Sequence, residues 1–452
     1  MNRLTNLDIS KFLKALEPAS PVKTRGRVVE LTGLVVEAQV PGVRVGEICE
    51  IHRHHHDQSL KAEVVGFRED RVLLMPLGEL EDIGPDSEVI PSGKPLTVKV
   101  GPKLLGRVLD GLGNPLDEQA KGPLEYEAEY PVMAPPPDPL KRQRVLKHLA
   151  VGVRAIDGCL TVGEGQRLGF FAGAGCGKST LMGMIARNTE ADINVLALIG
   201  ERGREVLDFI EESLGEEGMQ RSVVIVATSD RPSLVRLKAA FVATACAEYF
   251  RDQGKRVMLM MDSVTRFARA QREVGLAIGE PPARQGYTPS VFSMLPKLLE
   301  RSGNSDKGSI TAFYTILAPG GDMSDPVAEE VKSILDGHIV LKQEIGAQGR
   351  WPAIDILNSL SRVMSAVAEK EHKQADQKVR KALSTYDKNE LIIKLGEYEP
   401  GRDKLLDWAV EKVRPEGKEG PVIQFLCQGT HDKATFEEAR EQICGIFEGD
   451  DI

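Results

Sequence analysis

The sequence predicts an α/β protein with a mainly parallel sheet, preceded by a small all-β unit and followed by a helical one. Three observations carry that prediction. Short apolar runs alternate with helix-period segments through the middle of the chain, the signature of strands joined by crossover helices. Ahead of them, β-branched runs broken by Gly, Pro and Asp fill residues 25–100. Beyond Arg362 the pattern turns helical and rich in charge, with no further strand series.

At 452 residues the chain exceeds one ordinary core and fits two or three domains. A hydrophobic content of 41% and a charged content of 28% describe a soluble globular protein. No run approaches the roughly 18 apolar residues of a membrane span, and residues 1–20 lack a secretion signal, so a cytoplasmic protein is expected. Six cysteines without a C-x-x-C pair speak against a disulfide framework and against a zinc site. A formal net charge of -9 counts against a general nucleic-acid binder, which gathers positive charge to displace counterions.

In chain order, Leu7, Phe12, Leu13 and Leu16 give residues 1–20 a short amphipathic segment. Residues 21–100 hold strands at 28–31, 34–39, 48–52, 62–67 and 72–75, a small β-barrel or sandwich. His52, His54, His55 and His56 read as a solvated turn, because a His tract alone is only compositional evidence for a metal. Residues 101–140 form a connector that ends in the proline-rich stretch 131–139. Residues 141–368 carry strands at 168–171, 195–199, 223–227, 257–261, 310–316 and 339–341, with a helix at 234–250 among the intervening segments. Residues 369–452 form the helical domain.

The chemistry begins at Ala172-Gly173-Ala174-Gly175-Cys176-Gly177-Lys178-Ser179-Thr180, where a strand runs into a helix. Small residues let successive backbone N–H groups face one anion, while Lys178 meets the β and γ phosphates and the Ser179 hydroxyl meets Mg²⁺. The next helix adds its positive end. The strict pattern wants Gly at Ala172, so this match is imperfect. Cys176 lies near a helix N-terminus and Lys178, surroundings that favour a thiolate, and its alkylation is expected to block nucleotide binding.

Two strand ends add carboxylates. Asp262 closes the run 257–261, where a nucleotide-hydrolysing site holds Mg²⁺ through its waters. Glu201 and Arg202 come after 195–199; the carboxylate could polarise an attacking water and the arginine hold phosphate oxygens, or the two could belong to an ion-paired loop. Residue chemistry alone leaves both readings open.

The segments AGAGCGKST, LALIGERGREVLDFI, ATSDRPS, GEPPARQGYTPSVF, SILDGHIVL and PAIDILNSLSRVM, among others from about residue 140 to 370, resemble the type III secretion ATPases of bacterial injectisomes and flagella. These are similar to the catalytic β subunit of F-type ATP synthases. The resemblance implies a RecA-like P-loop core between an N-terminal β-barrel and a C-terminal helical domain, and Ala at position 172 is common in the secretion branch. It places Glu201 as the catalytic glutamate, Arg202 and Arg266 as phosphate-contacting arginines, and Asp262 beside Mg²⁺. Arg362 matches an arginine finger that reaches the neighbouring subunit's site, and such a finger is worth roughly 10³ to 10⁵ in rate. Trp351 falls where Tyr or Phe packs on adenine, and Phe425, in the FLCQGT segment, either lines the same pocket or belongs to the core.

The same resemblance implies an ATP-hydrolysing homohexamer with ATP as substrate and Mg²⁺ as cofactor, held at the cytoplasmic face of the inner membrane by its apparatus. Stator and central-stalk proteins and chaperone–substrate complexes are the implied partners, with no nucleic acid. The injectisome branch is favoured over the flagellar one or a rotary synthase subunit. A non-hydrolysing regulatory subunit would characteristically lack the Glu201 carboxylate, and an RNA translocase fits poorly with the acidic balance and with GERGREV and GYTPSVF.

Overall fold

The computed structural model describes residues 24–53, 58–318 and 324–450. The amphipathic segment 1–20 and His54 to His56 lie outside the described residues. Contacts divide the chain into two compact units, Met1–Leu96 and Thr97–Ile452.

In the first unit six strands close a barrel in the order β1-β2-β5-β4-β3-β6: β1 Gly26–Thr32, β2 Val35–Gln39, β3 Glu47–Ile51, β4 Leu60–Arg68, β5 Arg71–Pro76 and β6 Glu88–Pro95. Val36, Cys49, Ala62, Val64, Leu74 and Val89 pack inside it, as the period-2 pattern requires. β6 is the strand the sequence hid. Its run EVIPSGKP carries two prolines and a glycine, residues that weaken a strand pattern, yet it pairs with both β1 and β3 and so removes the open edges.

The second unit opens with β7 Thr97–Val100, which pairs with β9 Ala128–Pro131, and with β8 Val108–Asp110 between them in sequence. β8 joins the edge of the large sheet, so residues 101–140 supply part of it. The sheet continues with β10 Arg167–Ala172, β11 Ile193–Ile199, β12 Ser222–Ala227, β13 Arg256–Asp262, β14 Gly303–Asn304, β15 Ser309–Leu317, β16 Gly337–Leu341 and β17 Ile354–Ser361. Its order is β17-β16-β10-β15-β13-β11-β12-β8, with β14 paired to β15. All neighbours are parallel except β17 against β16 and β14 against β15. Every residue of β11 and β12 is buried, which is why these strands read as continuous apolar runs instead of alternating ones.

The helices that matter to the site are α1 Arg154–Cys159, α2 Lys178–Asn188, α3 Gly203–Asp208, α4 Ser233–Asp252, α5 Val264–Ala277, α6 Gln343–Ala347, α7 Lys370–Lys394, α8 Lys404–Val413, α9 Pro421–Leu426 and α10 Phe436–Gly445. Helices α7 to α10 build the C-terminal part. Val379, Leu383, Trp408, Ile423 and Ile443 belong to one apolar cluster with Phe170, Leu196 and Ile356 of the sheet. The helical part therefore shares a core with the α/β part. Caps mark its turns: Asp403 accepts from the N–H groups of Leu405 and Leu406, and Thr435 with Glu438 forms a reciprocal capping box. Among the described residues no helix is long and apolar enough to cross a membrane.

Candidate active site

The phosphate loop is built by its glycines. Gly175 and Gly177 sit at φ of 76° and 75°, a left-handed geometry costly for residues with a Cβ, and they curl the chain between β10 and the first turn of α2. Ala172 is the last residue of β10, paired and fully buried in extended conformation. It needs no glycine freedom, which accounts for the departure from the strict pattern. Gly173 leads into the exposed Ala174 and Gly175. Lys178, Ser179 and Thr180 are the first residues of α2, and the last two are open to solvent, so the helix start is free to receive an anion.

At the carboxyl ends of β13 and β11 the side chains converge. Lys178 Nζ lies 2.5 Å from Asp262 Oδ1, and Thr315 of β15 donates its hydroxyl to the same oxygen at 2.7 Å. Arg266, in the first turn of α5, pairs with Glu201 at 2.6 Å and donates to the Gly200 carbonyl. Ser263 caps that helix by accepting from the Arg266 N–H. Glu201 is only 7% exposed. Burial, and next the nearby charge of Asp262, lift its carboxyl from 4.5 to about 7, against the pull of Lys178 and Arg266. Two cations and two carboxylates thus neutralise one another around the loop.

Trp351 rests on this loop. A Cβ placed on Gly177 would come within 2.7 Å of the indole, and one on Gly346 of α6 within 2.8 Å. The ring remains 43% exposed, leaving surface for a ligand's base. Gln428, which the sequence did not signal, holds this corner: its N–H donates to the Trp351 carbonyl at 2.8 Å, while its side chain bonds Gly152 and Arg154. Thr315 was missed too, because a threonine within an apolar strand carries no mark of its partner.

The fold places four further residues. Phe425 is buried on α1, where a Cβ on Gly158 would fall 2.5 Å from its ring; packing of α9 on α1 puts it in the core, not in a base pocket. Cys176 is 4% exposed and belongs to the apolar cluster, so the loop buries the thiol that was expected to meet an alkylating reagent. Arg202, with 81% of its side chain exposed, pairs with Glu205 at 3.4 Å; for Arg202 the ion-paired loop is what the fold contains. Arg362 is exposed at the end of β17. That strand runs antiparallel to β16, so Ile354 stands beside Leu341 and Ala172 at the phosphate end, while Ser361 stands beside Gly337 at the other. Arg362 therefore lies at the sheet edge opposite its own phosphate loop. Its guanidinium forms no hydrogen bond or ion pair among the described residues.

As to the metal, no cluster of three or more His, Cys, Asp or Glu side chains that could hold one occurs among the described residues. One carboxylate, Asp262, and the exposed Ser179 hydroxyl make an all-oxygen donor set. That set fits a cation keeping most of its shell from phosphate and water, as Mg²⁺ does.

Comparison with known proteins identifies the family. The ATP synthase alpha/beta family profiles match residues 152–361 with their nucleotide-binding domain and 28–93 with their beta-barrel domain. The profile of the T3SS EscN ATPase C-terminal domain matches 368–445. The chain is 51% identical to the flagellum-specific ATP synthase of Bacillus subtilis, covering 95% of this chain and 96% of that one. It is also 51% identical to the type 3 secretion system ATPase of Xanthomonas euvesicatoria, covering 93% of each. Among solved structures, the assembled ATPase EscN of the enteropathogenic E. coli type III secretion system superposes with a TM-score of 0.87 at 46% identity, over 93% of this chain and 99% of that one. The barrel, the phosphate-loop sheet and the C-terminal helices thus each have their counterpart, and the chain belongs to the type III secretion and flagellar export ATPases of the ATP synthase alpha/beta family, enzymes that hydrolyse ATP.

Proposed function

We propose that the chain is a subunit of a homohexameric export motor in which every ATP site is completed by the next subunit. One observation carries the reading: the loop, Glu201 and Asp262 sit at one edge of the sheet, and the unpaired Arg362 at the other. A guanidinium so placed cannot serve its own site.

In this reading a triphosphate draws Lys178 away from Asp262, trading one charge-assisted bond for contacts to phosphate oxygens. Asp262, freed, and Ser179 would hold Mg²⁺, which would supply neutralisation of charge on the phosphates. Glu201, with proton affinity near neutrality, orients the attacking water and takes its proton. Arg266 is close enough to Glu201 to follow charge from carboxylate to phosphate. Trp351 stacks on the adenine, and Arg362 of the neighbour stabilises the transferred phosphoryl group. Arg202 is kept as a phosphate contact only if α3 moves when the ring forms.

Export through an injectisome is the function this motor serves, with release and unfolding of chaperone-bound substrates at the cytoplasmic face of the inner membrane. The likeness to the E. coli injectisome ATPase, whose structure is also known with its central stalk EscO, supports that branch and a stalk partner. Stator proteins and chaperone–substrate complexes are proposed on the resemblance alone. The flagellar alternative rests on the equal identity to the Bacillus subtilis relative, and hook or filament genes beside this one would decide for it.

Mixed rings test the shared site. Lys178→Ala subunits cannot use their own loop but offer Arg362; Arg362→Ala subunits have the reverse defect. Each alone should be nearly inactive, while a 1:1 mixture recovers about a quarter of the sites in a head-to-tail ring. A mixture as inactive as its components would refute the shared site.

A further inference from the structure

β17 carries an irregularity that no side chain of the sheet repairs in full. His338 stands opposite Leu360 and Val340 opposite Asp355, so Ile356 to Ser359 bulge out against a single residue of β16. A bulge of that size leaves carbonyls without ladder partners, and buried carbonyls need donors. The Ser359 hydroxyl repairs part of it, accepting from the Val340 N–H at 2.9 Å and donating to the Asp355 carbonyl at 2.6 Å. The other repair comes from the C-terminal helical part.

Arg380, on α7, donates from Nη1 to the carbonyls of Ile356 at 2.5 Å and Ser359 at 3.1 Å. Its Nη2 reaches the Cys159 carbonyl at the end of α1 at 3.1 Å, and Nε meets both oxygens of Asp376, one turn earlier on α7, at 3.0 Å. One planar fork therefore ties α7, α1 and the bulge together, a task for which the point charge of a lysine is unsuited. Two residues beyond the bulge, Ser361 donates to the Thr161 carbonyl and accepts from Gln166. Arg362 comes next.

We propose that Arg380 is a positioning residue for Arg362, and that through it the C-terminal helices set the finger presented to the neighbouring subunit's ATP. This rests on the shared-site reading above. Arg380 touches neither the phosphate loop nor the ion pairs around it among the described residues, so its effect is expected on the chemical step of the adjacent site and not on ATP binding. A partner pulling on α7 should then alter hydrolysis one subunit away.

The test is a double-mutant cycle in assembled rings, with assembly checked by size-exclusion chromatography. Arg380→Met should lower kcat about 10- to 100-fold, the scale of a misplacement near 1 Å, with the KM for ATP unchanged. Arg380→Lys should not restore it. In an Arg362→Ala background, adding Arg380→Met should change kcat less than about twofold, because the two act through one group. Asp376→Asn, which loosens the same fork, should show the same pattern more weakly and stands in if Arg380→Met rings fail to assemble. An equal drop in both backgrounds, or wild-type kcat in Arg380→Met, would overturn the proposal. If Arg362→Ala alone leaves kcat intact, the finger reading itself fails, and the role of Arg380 falls with it.

Discussion

Glu201 makes the site costly to keep. Its carboxyl is buried between Arg266 and Asp262 and holds its proton to about pH 7, where an ordinary glutamate lets go at 4.5. That difference corresponds to about 3 kcal/mol favouring the protonated form in the fold. Because the folded-state value is the higher one, the group's contribution to stability is complete below pH 4.5 and is lost as pH rises to about 7. Gln cannot titrate, so Glu201→Gln should gain on the wild type by about 2 to 3 kcal/mol between pH 5 and pH 8. Comparing two pH values removes any constant effect of the amide. Urea unfolding without nucleotide or Mg²⁺ measures it, monitored by tryptophan fluorescence, since Trp351 and Trp408 are the chain's two tryptophans and both lie in the larger unit. The same variant should lose at least about 10² in turnover at every pH. A stability difference that is flat from pH 5 to pH 8, or that favours the wild type more as pH rises, would refute the reasoning.

Trp351→Ala should raise the KM for ATP roughly 3- to 10-fold with kcat little changed, the scale of one aromatic contact, and steady-state kinetics on assembled rings would show it. Glu248→Ala should destabilise the larger unit by about 3 to 5 kcal/mol in the same urea assay, because it leaves the guanidinium of Arg301 charged and without its bidentate partner; that pair spans 2.6 Å and Arg301 is fully buried. Cys176 in the native protein should react with a maleimide far more slowly than in urea, as its burial demands; mass spectrometry of the modified peptide reads the rates, and equal rates would contradict the buried loop.

The six parallel strands were legible because burial on both faces writes itself as an unbroken apolar run. β6, β8 and β17 were not: two prolines interrupt the first, the second is three residues long, and the third alternates with Asp, Asn and Ser around a bulge. Within the site, Lys178, Glu201 and Asp262 could be read because each stands at a strand end or loop, a position local sequence marks. Thr315 could not, since a threonine in an apolar strand looks the same whether or not it meets a carboxylate. Phe425 and Cys176 could not be placed for a related reason. An aromatic on a short helix and a thiol in a glycine-rich loop are equally at home inside or outside, and only the packing of α9 on Gly158 and the turn of the loop decide.

Arg202 and Arg362 show where that limit falls. Both are exposed arginines just past the end of a strand, and composition cannot separate them. Topology can. Arg202 leaves a parallel strand at the same edge as the phosphate loop and meets Glu205 three residues on, within its own turn of helix, a pairing that is worth little in water and is readily exchanged. Arg362 leaves the one strand antiparallel to β16, which reverses the chain and delivers the guanidinium to the far edge of the sheet. No rotamer of a side chain about 7 Å long spans the length of β16, Gly337 to Leu341, about 13 Å at the rise of a strand, and crosses to Ala172 on β10 as well. In the shared-site reading, dependence on a second subunit is thus a consequence of strand direction, and the bulge that Arg380 holds is the place where that direction is tied to the rest of the chain.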